Sequence, residues 1–273
     1  MRHTVKSLFA PRAMALELDM LAGRAEAGDE SETSTLPDLL EFRTVETSRG
    51  AFGYLRIRSF MSRPQPFVDE VVRILGLLPP DGLIIDVRGN GGGIIPAGEQ
   101  LLQLLTPRLI EHERLHFLNT DLTEQVVAAI PSLARWADSI GEKAFETGAV
   151  FSEGWPIGPD SVDACNQIGQ RYYGPVVLVT DALCCSTTDI FATGLQDHEI
   201  GPVLGRHSLT GAGGANVWTH SYLLQLLSEE TAALAPLPKG TSLQVATRRT
   251  TRVETHAGGT LEDLGVVPTR STR

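Results

Sequence analysis

Apolar and polar positions along the chain change period several times, and each change predicts an element. "LEFRTVE" and "AFGYLRIRSF" alternate with a period near two around "TSRG", which predicts two strands joined as a hairpin. Next, "PFVDEVVRILGLL" places Phe67, Val68, Val71, Ile74, Leu75 and Leu78 at helical spacing behind Pro66. "GLIIDVRGNGGG" is a buried strand running into a glycine cluster, "AGEQLLQLL" a helix and "RLIEHERLHFL" a further strand. Strand, helix, strand, glycine turn, helix and strand in that order predict an α/β core with parallel pairing and right-handed crossovers. We place the first half of that core at 42–118.

Residues 119–173 lose this rhythm. "LTEQVVAAIPSLARWADSIGEKAFETG" predicts two helices broken at Pro131, and "FSEGWPIGPDSVDACNQIGQRYYG" a punctuated loop with one tryptophan. This segment is expected to be a helical insertion lying over the core. The second half, 174–273, resumes with the strand "GPVVLVTDA", a helix over 186–196 and the short strand "GPVLG". It continues into the glycine loop "TGAGGANVW" and ends in strand-like "SLQVATRRTTRVE" and "EDLGVVP". Residues 1–41 read as a peripheral helix and an acidic Ser/Thr-rich linker, the remnant of a longer N-terminal region. No repeat is visible.

Composition narrows the function classes. The 273 residues are 42% hydrophobic and 21% charged, ordinary for a globular protein able to build one large core or two modest ones. A net charge of -10 weighs against tracking a nucleic-acid backbone, and the only compact basic stretch is Arg248, Arg249 and Arg252. No apolar run approaches the ~20 residues of a membrane span, and "MRHTVKSLFAPRAM" lacks the apolar stretch of a secretory signal. A cytoplasmic location is the expectation that follows. Cys165, Cys184 and Cys185 make no disulfide framework, and no cysteine–histidine spacing suits zinc.

The glycine cluster at the end of a strand lies where open α/β sheets place ligands. A dinucleotide fingerprint needs Gly or Ala five positions after its first glycine, where Ile94 or Pro96 stands, and a phosphate-binding Walker loop needs a lysine that is missing. What remains is a run of unobstructed backbone N–H groups beside a helix start, suited to developing negative charge. A tight turn would need only one such glycine.

"DALCCSTTDIFATGLQDH" puts Ser186 on the first turn of a helix. There the hydroxyl either caps the helix, with Asp189 as the acid of a capping box, or attacks a substrate with the Thr187 N–H as oxyanion donor. Cys184 and Cys185 are expected to be small buried hydrophobes. Asp197 lies about 16 Å along the helix from Ser186, so it should fix the helix end or a neighbouring loop instead of orienting the serine's partner.

Taken in order, "GLIIDVRGNGGG", "PVVLVTDALCCSTTDIFATGLQDHEIGPVLG", "TGAGGANVW" and "EDLGVVP" resemble the core of the tail-specific and tricorn-type serine peptidases. The resemblance covers about residues 50–118 and 174–268. It implies a ClpP/crotonase-like β/α core, a polypeptide substrate and no metal or cofactor. It implies Ser186 as nucleophile, with Gly91, Gly92 and Thr187 as the oxyanion hole, and a substrate loop containing Gly211, Gly213 and Gly214. The tail-specific branch uses a lysine after "GPVLG", but "RHSLTGAGGANVW" has none. The tricorn-like branch, with a histidine base supported by a glutamate matching Glu262, is therefore implied. That histidine comes from upstream of the core, where only His3 stands; His207 and His220 flank the glycine loop as substitutes. A homo-oligomer or a missing upstream domain is compatible with this picture. Two alternatives stay open: a catalytically incomplete peptide-binding or scaffolding member of the fold, and a crotonase-type acyl-thioester enzyme.

Overall fold

The computed structural model describes residues 33–212, 217–227, 234–262 and 264–271. Strands β1 (Leu40–Thr47) and β2 (Gly50–Ile57) form the expected antiparallel hairpin, in register from Leu40 opposite Ile57 to Thr47 opposite Gly50. Helix α1 (Pro64–Leu75) opens at Pro64, two residues before the expected Pro66, ends before Leu78, and buries Phe67, Val68, Val71, Ile74 and Leu75 on one face. Each such side chain removed from water stabilises the fold by about 1.5–3 kcal/mol before entropy is counted. Then follow β3 (Leu83–Asp86), α2 (Ile95–Gln103) and β4 (Arg114–Phe117).

The middle segment is more helical than its sequence suggests. Helix α3 (Asp121–Ala129) is capped by the Thr120 side chain accepting from the Thr123 amide. After it come a 3-10 turn over Pro131–Ser139 and the short α4 (Glu142–Thr147), three pieces where two helices were expected. Helix α5 (Pro159–Ile168) occupies the stretch expected to be loop. Its Gly-Pro start looks like turn punctuation, yet Val162, Cys165 and Ile168 recur with helical spacing, and Cys165 is fully buried in the main core.

Strand β5 (Val176–Thr180) leads to α6 (Thr187–Asp197) and β6 (Val203–Gly205). The chain continues through β7 (Val217–Thr219), α7 (His220–Leu226), β8 (Gln244–Ala246), β9 (Arg248–Thr251) and β10 (Arg270–Ser271). "EDLGVVP", expected to be strand-like, forms no strand among its described residues; Gly265 N donates to Leu261 O in a local turn.

Among the described residues the main sheet has the order β1-β2-β3-β5-β6-β10, and every neighbour after the hairpin pairs in parallel. Two antiparallel pairs, β4 with β9 and β7 with β8, stand apart from it. Two apolar clusters match this division. The larger gathers the main sheet and helices α1, α2, α5 and α6. The smaller centres on Phe117, Trp136 and Trp218, with the Phe117 and Trp136 rings edge to face at 5.3 Å. No helix among the described residues is long and apolar enough to cross a membrane.

Candidate active site

Strands β3 and β5 are parallel neighbours, with Leu83 opposite Val176 and Asp86 opposite Val179. Their carboxyl ends therefore lie side by side, and the turns that leave them must meet although they are far apart in sequence. The ladder ends with Val87 N donating to Val179 O at 3.0 Å, and beyond it the glycine turn faces the serine turn.

Ser186 sits at φ 59° and ψ −127°, a backbone region that costs a non-glycine residue about 1–3 kcal/mol. The Asp189 and Ile190 amides hold its carbonyl at 2.8 and 3.1 Å, so α6 starts there. Its hydroxyl makes no cap bond and, among the described residues, has no hydrogen-bond partner. The cap that the sequence permits is not formed. Ser186 remains partly exposed.

Gly92, at φ +93°, lies directly against this serine. A Cβ built on Gly92 would stand 2.7 Å from both Ser186 Cβ and Cys185 O, and 2.9 Å from Thr187 N. Only glycine fits. The next residue, Gly93, is equally confined from the other side, where an added Cβ would meet Phe60 C at 2.2 Å.

The hydrogen bonds of the glycine turn sort its polar groups. All four carbonyls are engaged: Asn90 O by Cys185 N (3.2 Å), Gly91 O by Cys185 Sγ (3.4 Å), Gly92 O by Phe60 N (3.1 Å) and Gly93 O by Thr187 Oγ1 (2.9 Å). Gly92 N donates to Asn90 Oδ1 at 2.9 Å, and Asn90 is itself buried and anchored by Nδ2 to Ile57 O. Among the described residues the N–H groups of Gly91, Gly93 and Thr187 have no acceptor within the protein. With the carbonyls engaged and these amides left over, next to the N-terminus of α6, the two turns offer backbone donors that favour negative charge near Ser186.

Close helix packing supports this arrangement. A Cβ on Gly98 of α2 would lie 2.8 Å from Thr187 Cγ2, and one on Gly194 of α6 2.3 Å from Leu102 Cδ1. The two helices thus approach through small residues at both ends of their contact.

The neighbouring thiols are not activated. Burial, then the nearby Asp181, pushes the Cys184 thiol well above its usual range; burial, then Asp189, raises that of Cys185. Cys184 is fully buried as expected, whereas Cys185 keeps some exposure.

The remaining sequence candidates fall into three groups. Gly211 joins the serine turn: its N–H donates to Cys184 O at 2.6 Å, and an added Cβ would meet Cys185 Cβ at 3.4 Å. His207 is exposed, and its Nδ1 accepts the Ala182 amide at 3.3 Å, on the same turn as Ser186. His220 begins α7, where its amide donates to Leu243 O. Glu262 Oε2 accepts from Thr250 N on β9 at 2.6 Å. His3, Gly213 and Gly214 lie outside the described residues.

The other histidines are committed elsewhere. His112 is buried with its Nδ1 3.1 Å from Glu99 Oε2, and His116 bridges Ser152 O and Thr251 Oγ1. His198 holds Gly194 O and the Glu111 amide. His256 Nδ1 meets Asp197 Oδ1 at 2.7 Å. Asp197 also binds Arg252, so it fixes the segment beyond β9, as its distance from Ser186 requires. A cleft of about 680 Å³ opens at that far end of α6, between Gln196, Arg252, His256 and Thr269, away from the serine.

Sequence reasoning missed Asn90 and Asp181, whose side chains hold the two turns. Their only signal was position, one inside the glycine cluster and one at the end of β5.

The described structure is similar to the crystal structure of mature CPAF, with a TM-score of 0.58, 19% identity, and coverage of 85% of this chain against 49% of that one. A lipoprotein from Streptococcus agalactiae gives a TM-score of 0.51 at 12% identity, over 86% of this chain and 65% of that one. The chain thus spans about half the length of mature CPAF, and at these identities the likeness concerns the fold. No curated protein matches. The peptidase family S41 profile matches residues 51–271, and the chain belongs to that family.

Proposed function

We propose that this chain is a serine peptidase that hydrolyses polypeptides through an acyl-enzyme on Ser186, in a core of the ClpP/crotonase kind. The observation that carries it is the uncapped Ser186 hydroxyl on a strained turn, with its Cβ against Gly92 and unengaged amides on either side. In this reading Ser186 Oγ attacks the peptide carbonyl while a histidine takes its proton. The tetrahedral oxyanion is held by Thr187 N–H and by the glycine turn at Gly91–Gly93. Gly92 shapes the cradle through its missing side chain, because Asn90 engages its amide. Collapse breaks the C–N bond, the amine leaves with the histidine's proton, and water then releases the acyl group by the reverse proton path.

Glu262 supports the histidine in this scheme, which draws on family membership. The base is sought among His207, which already touches the serine turn, His220, and His3 or another residue upstream. A second reading, a peptide-binding member with an incomplete site, is favoured by one observation: no histidine among the described residues hydrogen-bonds Ser186.

A fluorophosphonate probe separates the two. Covalent labelling of the protein that disappears in Ser186→Ala is expected for the peptidase. Absence of labelling in the longest natural form of the chain would leave the binding module.

A further inference from the structure

We propose that Asp181 is a positioning residue, whose carboxylate sets the spacing between the turn that carries Ser186 and the glycine turn facing it. The proposal rests on the reading of Ser186 as nucleophile. Asp181 Oδ1 accepts from Gly89 N at 2.9 Å and from Leu183 N at 2.9 Å, one amide in each turn. Cys184 Sγ approaches the same oxygen at 3.5 Å. A single atom is therefore the common acceptor for two backbone segments separated by 92 residues in sequence.

The place of this atom in the fold explains why a side chain is needed. Backbone pairing of β3 with β5 ends at Val87 N to Val179 O, and the next backbone bond between the turns is Cys185 N to Asn90 O. Between them no backbone hydrogen bond among the described residues joins the two segments, and the Gly89 amide, at φ +68°, donates to no carbonyl. Asp181 fills that gap. Two amides bonded to one carboxylate oxygen tie the turns together, so the clamp resists their separation. Among the described residues Asp181 makes no hydrogen bond to Ser186 or to the unengaged amides, which makes its role indirect. Displacing a reacting group by about 1 Å is enough to cost about 100-fold in rate.

The test uses wild type, Asp181→Ala, Asp181→Asn and Asp181→Glu, with three measurements on each: fluorophosphonate labelling rate at Ser186, hydrogen exchange at the Gly89 and Leu183 amides, and melting temperature. Asp181→Ala should label about 10-fold more slowly and exchange both amides about 10-fold faster. Asp181→Asn keeps an acceptor oxygen and should recover to within about threefold of wild type. Asp181→Glu keeps the charge but shifts the oxygen, and should label several-fold more slowly with little change in melting temperature; it carries the test if the alanine variant does not fold. Wild-type labelling and wild-type exchange in the alanine or glutamate variants would overturn the proposal. A wild-type protein that does not label, with exchange still accelerated in the variants, would overturn the nucleophile reading and leave the clamp supported.

Discussion

Gly92 and Ser186 are packed so closely that the glycine's hydrogen occupies the space a methyl group would need: an added Cβ would stand 2.7 Å from Ser186 Cβ. The contact joins residues on two strand-to-helix turns, and it follows from parallel pairing of β3 with β5. It also defines the local chemistry. With the Gly92 amide donating to Asn90 and the carbonyls of the turn engaged, the backbone groups left unengaged in the two turns are N–H donors, which favour an anion.

Gly92→Ala tests this relationship against its neighbour. The new methyl would clash with Cys185 O, Ser186 Cβ and Thr187 N at a backbone φ of +93°, so it must push the turns apart. We expect labelling of Ser186 to fall by about 100-fold or more, with a stability loss of about 1–3 kcal/mol. Gly91→Ala should behave differently, since its nearest contact is Cys185 Sγ at 3.9 Å and the residue is exposed. That variant should fold normally and label within about threefold of wild type. Equal effects at the two positions would show that the crowding at Gly92 does not govern reactivity.

Much of this architecture was legible in the sequence because its signals are local. The hairpin at 40–57, the helix around Pro66 and the Ser186 strand-to-helix junction each carry a period or a turn marker within a few residues. Helix α5 was hidden because Gly158 and Pro159 punctuate its start and only Val162, Cys165 and Ile168 mark its apolar face. The clamp residues were illegible for another reason. Asn90 and Asp181 work through contacts with Ile57 and Gly89, far away in the chain, and a lone polar residue beside a glycine cluster looks like any turn former. The uncapped state of Ser186 was equally undecidable, since the same letters spell a capping box.

Asp197 anchors the far end of the serine's helix. It is fully buried and accepts from Arg252 Nε at 3.1 Å and from His256 Nδ1 at 2.7 Å, while Arg252 is itself mostly buried. Removing the acid leaves a poorly solvated guanidinium without its partner, a situation that costs about 3–5 kcal/mol. Asp197→Ala should therefore lower the denaturant midpoint strongly. Arg252→Ala should do likewise, and the double variant should lose less than the sum of the two. Strict additivity would mean that the pair is not coupled.

Glu113 should give the stability curve an unusual slope. It is buried, receives a hydrogen bond from Thr193 Oγ1, and burial pushes its carboxyl well above the ordinary value of 4.5, with Glu99 and Asp197 nearby adding to the rise. The folded state therefore retains a proton that the unfolded chain gives up as pH passes 4.5. Stability supplied by this group is complete below that pH and declines as pH rises towards the folded value, the reverse of an ion-paired carboxylate. Glu113→Gln keeps the shape without the titration. Its unfolding free energy should lose less than the wild type's between about pH 5 and pH 7, so the two curves converge or cross towards neutrality. Urea unfolding at several pH values measures this directly, and parallel curves for the two proteins would mean that Glu113 is already ionised inside the fold.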